Sequence, residues 1–186
     1  QTTGAEGPTH REAAWKARPH LPLKFLLAAP KDTSLARVTS PDGRIAFEIH
    51  DGRVGTKTYT VRFAGETVIR DAQLGMRFRT QAGFDRGLEV GDGSFSSRDE
   101  TWEQPWGERR LVRDRHEEML VDISDDADRS FRLRVRVFVD ALGFRYEFAI
   151  ESGLGLVEIV VELWVFGVPS CSRAWWITGR GYYRYE

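Results

Sequence analysis

The stretch "SFRLRVRVFVD", residues 130–140, constrains the fold more than any other part of the sequence. Apolar and charged side chains alternate through it. Phe131, Leu133, Val135, Val137 and Val139 fall on one side of an extended chain, and Arg132, Arg134, Arg136 and Phe138 on the other. A period of two is the signature of a strand with one face on a core and one in water. The same period recurs upstream. A turn at Pro41-Asp42-Gly43 precedes Ile45, Phe47 and Ile49, which share a face while Arg44, Glu48 and His50 bracket them. Tyr59, Val61 and Phe63 alternate with Thr58, Thr60 and Arg62, and Ala64-Gly65-Glu66 reads as the reversal of a hairpin. "GLEVGDGSF" and "GFRYEFAIE" continue the pattern, and no stretch from residue 35 onward carries a helical stripe. The expectation is an all-β, antiparallel sandwich.

Two segments break the pattern. Residues 1–33 are polar, aperiodic and interrupted by Pro and Gly, and are expected to form an irregular leader ahead of a sandwich domain over 34–186. "LPLKFLLAAP" (21–30) within the leader could be the remnant of a targeting segment, but no run in the sequence is long enough to span a bilayer. "GLGLVEIVVELWVFGVP" (153–169) is more continuously apolar than its neighbours. It reads either as a strand buried on both faces or as a surface that another domain covers.

Composition narrows the function classes. A hydrophobic share of 41% suffices for a core. A net charge of -1, with acids interleaved among the arginines, lacks the basic footprint of a nucleic-acid binder. The arginines read as cross-strand partners of those acids. Cys171 is the single cysteine, so neither an intrachain disulfide nor a cysteine zinc site can form. The hydrolase, phosphate-loop, zincin and dinucleotide motifs are all missing. Ser170 has no histidine in view: two of the four histidines lie in the leader, and His50 and His116 sit in strands.

Carboxylates and aromatics remain. Asp99, Glu100, Glu103, Glu117, Glu118 and Glu186 could act as acids, bases or calcium ligands, but on exposed strands such groups pair with arginine or are solvated. Trp102 and Trp106 form one aromatic cluster; Trp164, Trp175, Trp176, Tyr182, Tyr183 and Tyr185 form another. Flat rings suit sugar faces, which makes Trp102, Trp106 and Trp176 candidate oligosaccharide contacts. The competing reading, favoured for Trp102 and Trp106, is that they pack structurally in a core or an interdomain seam.

These clusters carry a resemblance. "DETWEQPWGERRLVRDRHEEM" (99–119) is similar to the signature of the N-terminal domain of glycoside hydrolase family 97. "SPDGRIAFEI" (40–49), "AQLGMRF" (72–78), "FVDALGFRYEF" (138–148) and "AWWITGRGYYRYE" (174–186) resemble further elements of that domain, in order. Thr178 departs from the family's Pro, and residues 116–118 from its usual pattern. The resemblance implies a galactose-mutarotase-like β-supersandwich placed before a catalytic (β/α)8 barrel. It implies an exo-acting α-glucosidase or α-galactosidase, exported to the periplasm or beyond, with calcium in one branch. This sequence stops before such a barrel, so on that reading it is inactive alone and carries no catalytic residue. Glu186, in the Tyr-Glu pair, is the one residue the resemblance assigns to the metal. Arg113 and Glu117 are expected to shape the seam toward the barrel. The alternative is a stand-alone carbohydrate-binding module.

Overall fold

The computed structural model describes residues 34–149, 152, 154–167 and 173. The leader, Ser170, Cys171, Trp175, Trp176, Thr178, Tyr182, Tyr183, Tyr185 and Glu186 lie outside them. The described residues form ten strands and no α-helix, with one short 3-10 turn at Arg53–Gly55.

Strands β1 (Ala36–Thr39), β2 (Ile45–Asp51), β3 (Lys57–Phe63) and β4 (Glu66–Gln73) form one antiparallel meander. After the short β5 (Met76–Phe78), strands β6 (Glu89–Glu103), β7 (Leu111–Ser124), β8 (Ser130–Phe138) and β9 (Leu142–Glu147) form a second. Each meander follows chain order because its connections are too short to cross the sheet. The turns carry the expected chemistry. Ser40 Oγ donates to Asp42 Oδ1 at 2.6 Å and accepts from the Ile45 amide at 2.9 Å, while Gly43 takes φ 73°. Ala64 and Gly65 both have positive φ, 49° and 87°, as a two-residue turn matching the twist of its strands requires.

The inward faces meet in a buried, aromatic-rich interior. Phe47 and Tyr59 stack at 5.1 Å, and both touch Phe144 of β9 across the sandwich, at 5.8 and 5.3 Å. The alternation in β8 is as read from the sequence: Phe131, Leu133, Val135 and Val137 are buried. Val139 is the exception. The strand ends at Phe138, whose amide turns to the carbonyl of Ala141 at 2.8 Å.

Strand β10 (Ile159–Glu162) pairs with β5, far away in sequence. The alignment extends past both strands: Arg79 N donates to Glu158 O, Leu163 N to Gly75 O and Arg70 N to Gly167 O, at 3.0, 3.0 and 3.3 Å. Tyr146 pins this segment. Its hydroxyl accepts from the Gly75 amide at 2.9 Å and from Trp164 Nε1 at 3.0 Å. The segment is thus a sheet edge. It is not a strand buried on both faces, because among the described residues β5 is its one neighbour and all four residues of β10 are exposed. No helix among the described residues is long and apolar enough to cross a membrane.

Candidate functional site: the exposed ribbon and the apolar fringe

Residues 96–119 form the two long strands β6 and β7 with their connection, as expected. Their register runs from Glu89↔Ser124 to Glu103↔Leu111. The last β7–β8 pair is His116↔Phe138. Beyond it, from Asp99↔Arg115 to Glu103↔Leu111, the two strands continue as a free ribbon on the order of 15 Å long.

Alternation divides the ribbon into two faces. One carries Asp99, Thr101 and Glu103 beside Leu111, Arg113 and Arg115. Arg113 makes a bidentate contact with Asp99, Nε at 2.7 Å and Nη2 at 2.6 Å, and that hydrogen bonding holds the Asp99 carboxyl below its ordinary range. Arg110 closes on Glu103 at 2.6 Å. The other face carries Arg98, Glu100 and Trp102 beside Val112, Asp114 and His116. Arg98 binds Glu100 at 2.5 Å; His116, buried against Phe138, sets Nδ1 2.5 Å from Asp114 Oδ1.

The tryptophans differ from expectation. Trp102 is 48% exposed on the ribbon, and Trp106, in the connecting loop, is 74% exposed. Of the two structural readings, packing in the core is not met, because the ribbon outruns its neighbour β8 and both rings stand exposed; the interdomain seam stays open. Phe95 and Leu111, on the same strands, are also exposed. A second apolar surface is the fringe of Leu156, Ile159, Val160, Val161, Val165 and Phe166, all exposed. Trp164 points the other way, 5.0 Å from the Phe144 ring.

The candidate carboxylates on described residues are engaged one by one. Besides Asp99, Glu100 and Glu103, Glu117 accepts from Ser97 Oγ at 2.9 Å. Glu118 accepts from Arg136 at 2.6 Å and from Arg134. Burial pushes the Glu118 carboxyl up, but the guanidinium hydrogen bonds and charges prevail and leave it below its ordinary value. Glu147 goes further: hydrogen bonds from Arg134, then Arg145, bring it to about 2 despite some burial. These are structural ion pairs along the sheet. Sequence reading missed Glu147; the β8–β9 register, which sets it beside Arg132 and diagonal to Arg134, is the signal that finds it.

A metal site needs convergent oxygens. Among the described residues no group of three His, Cys, Asp or Glu side chains could hold an ion. The described residues therefore do not fit calcium, and Glu186 and Trp176 lie outside them.

Comparison with known proteins agrees with this architecture. A family model described as "Glycosyl-hydrolase 97 N-terminal" matches residues 38–186. A glycoside hydrolase family 97 enzyme from Pseudoalteromonas sp. strain K8, solved as a variant with panose, is 35% identical with a TM-score of 0.68; the match covers 73% of this chain and 20% of that one. The same enzyme solved with acarbose matches equally. A β-arabinopyranosidase shares the fold, at 20% identity and a TM-score of 0.66. The chain thus spans about a fifth of the length of the solved enzymes it matches. The family model spans most of this chain, and the chain belongs to glycosyl-hydrolase family 97, whose N-terminal domain residues 38–186 match.

Proposed function

We propose that this chain is the N-terminal β-sandwich part of a calcium-dependent, exo-acting α-glucosidase or α-galactosidase of the exported type. It packs on a catalytic (β/α)8 barrel, completes it, and is inactive alone. The observation that carries the reading is the family match over residues 38–186 on a chain whose described candidate carboxylates, Asp99, Glu100, Glu103, Glu117 and Glu118, are tied up in ion pairs and hydrogen bonds. Glycoside hydrolysis needs two carboxyl groups free to exchange protons or attack at the anomeric centre, on opposite sides of the scissile bond. Carboxylates held by arginine below their ordinary range do not supply the acid. Calcium wants six to eight oxygens, of which Glu186 gives two at most, so the ion and the catalytic pair come from the barrel.

The test is an assay of the purified chain on aryl α-glucosides and α-galactosides, with and without calcium. No turnover is expected. Turnover above the buffer blank, abolished by a chelator, would overturn the inactivity and place the chemistry on this chain.

The exposure of Trp102 and Trp106 favours one alternative, a carbohydrate-binding module. Calorimetric titration with maltooligosaccharides and panose decides it. Saturable binding lost in Trp106→Ala supports a module; no heat at millimolar sugar leaves the rings to the seam with the barrel.

A further inference from the structure

The outward face of β8 and β9 places Arg134 directly opposite Arg145, and Arg136 opposite Gly143. Like charges opposed across strands cost stability unless something compensates. Glu118 and Glu147 compensate in part. Arg134 spends its donors on both of them, Nε and Nη2 on Glu147 and Nη1 on Glu118. Arg136 gives only Nε to Glu118, at 2.6 Å. Arg145 gives Nε and Nη2 to Glu147. Both Nη groups of Arg136 and Nη1 of Arg145 are left without a hydrogen-bond partner among the described residues. Arg134, Arg136 and Arg145 against Glu118 and Glu147 leave one positive charge in surplus, and the next cross-strand pair, Arg132 and Asp122, cancels itself.

Gly143 opens space beside these donors. A Cβ at this position would meet nothing within 4 Å, so the missing side chain leaves a notch beside Arg136. The cavity there, about 230 Å³, is lined by Arg134, Arg136, Phe138, Gly143, Phe144 and Arg145. All its charged walls are guanidinium groups. Guanidiniums oriented in this way present a fixed fork of N–H donors, the arrangement that matches a carboxylate or a phosphate.

We propose that the notch at Gly143 binds an oxyanion, carboxylate or phosphate, on the two free Nη groups of Arg136 and on Nη1 of Arg145. The anion neutralises the surplus charge and occupies the space a side chain at residue 143 would fill. Its source is either a small soluble anion or an acidic side chain of the remainder of the enzyme.

The experiment is a titration of this chain with inorganic phosphate at constant ionic strength, followed by NMR of the arginine Nε and Nη groups. Saturable shifts confined to Arg136, Arg145 and the Gly143 amide are expected, with acetate competing. Gly143→Val fills the notch without changing any charge, and the open surroundings of residue 143 let it fold. It and Arg136→Gln should each weaken binding about tenfold or more, as the loss of a charge-assisted pair requires. Linear, unsaturated shifts, or shifts unchanged in Gly143→Val, would overturn the proposal and leave a merely charged surface. The same titration on a longer family enzyme separates the sources. A notch still open to phosphate points to a soluble anion. A notch closed to phosphate until the rest of the chain is removed points to a protein carboxylate.

Discussion

The interior around Phe47 and the ribbon around Trp102 are built from the same alternating pattern, yet they end in opposite environments. Phe47 is 0% exposed, between Tyr59 and Phe144, whereas Trp102 stands nearly half in solvent. Alternation decides which side of a strand a residue occupies. It does not decide whether anything lies on that side. β2 has neighbours on both edges and a second sheet above it; among the described residues the outer half of β6 has only β7. The aromatic content of a strand is therefore a statement about burial only after its partners are known.

The sharpest way to break this comparison is to truncate one ring in each region. Phe47→Ala should cost about 3–5 kcal/mol, by lost transfer energy and a residual cavity. Trp106→Ala, at an exposed position, should stay within about 0.5 kcal/mol. Urea midpoints of the two variants measure the difference. Equal losses would mean that the ribbon is packed against something in solution, and sedimentation would then show self-association.

A second pair sharpens the picture inside the core. Tyr59 and Tyr146 are neighbours in the same aromatic cluster, and burial pushes both phenols up, Tyr146 to about 12. Tyr146 Oη serves two donors; Tyr59 Oη is buried with no partner among the described residues. Tyr146→Phe should therefore cost about 1–3 kcal/mol, since it leaves the Gly75 amide and Trp164 Nε1 unsatisfied. Tyr59→Phe removes an orphan polar atom and should be neutral or stabilising by up to about 1 kcal/mol. Hydrogen exchange at the Gly75 amide checks the cause: it should accelerate in Tyr146→Phe and not in Tyr59→Phe.

How much of this was legible in the sequence follows from the range of each interaction. The β2–β3 and β3–β4 hairpins and the inward row of β8 are local, and their side chains announce themselves at a spacing of two. Val139 was misread because a strand's end is set by its turn, here the closure of Phe138 on Ala141. The pairing of β10 with β5 joins residues some 80 positions apart and leaves no periodic mark. The apolar run 153–169 left two readings open, and no sequence pattern says what covers a strand. The candidate site shows the same division. Resemblance carried the family, but the exposure of Trp102 and Trp106 depends on β8 ending where it does. Glu147 becomes visible only once the β8–β9 register is known.

The outward face of the second sheet supplies a smaller test. Glu147 is only 17% exposed and its carboxyl sits at about 2 instead of 4.5. A depressed carboxylate contributes stability that is fully present above its unfolded pKa and is lost as pH falls toward the folded one. The contribution is thus complete above about pH 5 and disappears between there and about pH 2. Glu147→Gln should lower stability by about 1–2 kcal/mol at pH 7, after allowance for solvent screening. The gap to the parent chain should narrow as pH drops below about 4. Thermal unfolding from pH 3 to 7 measures it, and a gap independent of pH would assign the loss to packing.

The smallest expected effect lies in the turn between β3 and β4, where backbone preference counts most. Ala64 is held at φ 49°, a region that alanine enters at a cost and that asparagine tolerates. Its amide donates to the carbonyl of Arg44 at 2.7 Å, a bond that asparagine keeps. Asn-Gly is the pair a two-residue hairpin of this twist prefers. Ala64→Asn should therefore stabilise the chain by about 0.5–1 kcal/mol, with no change in the slope of denaturant unfolding. The effect belongs to the covered half of the molecule, and its size does not depend on whether the ribbon or fringe finds a partner. A substitution that stabilised this chain but not a longer family enzyme would show the opposite: that this turn differs in its surroundings between the two.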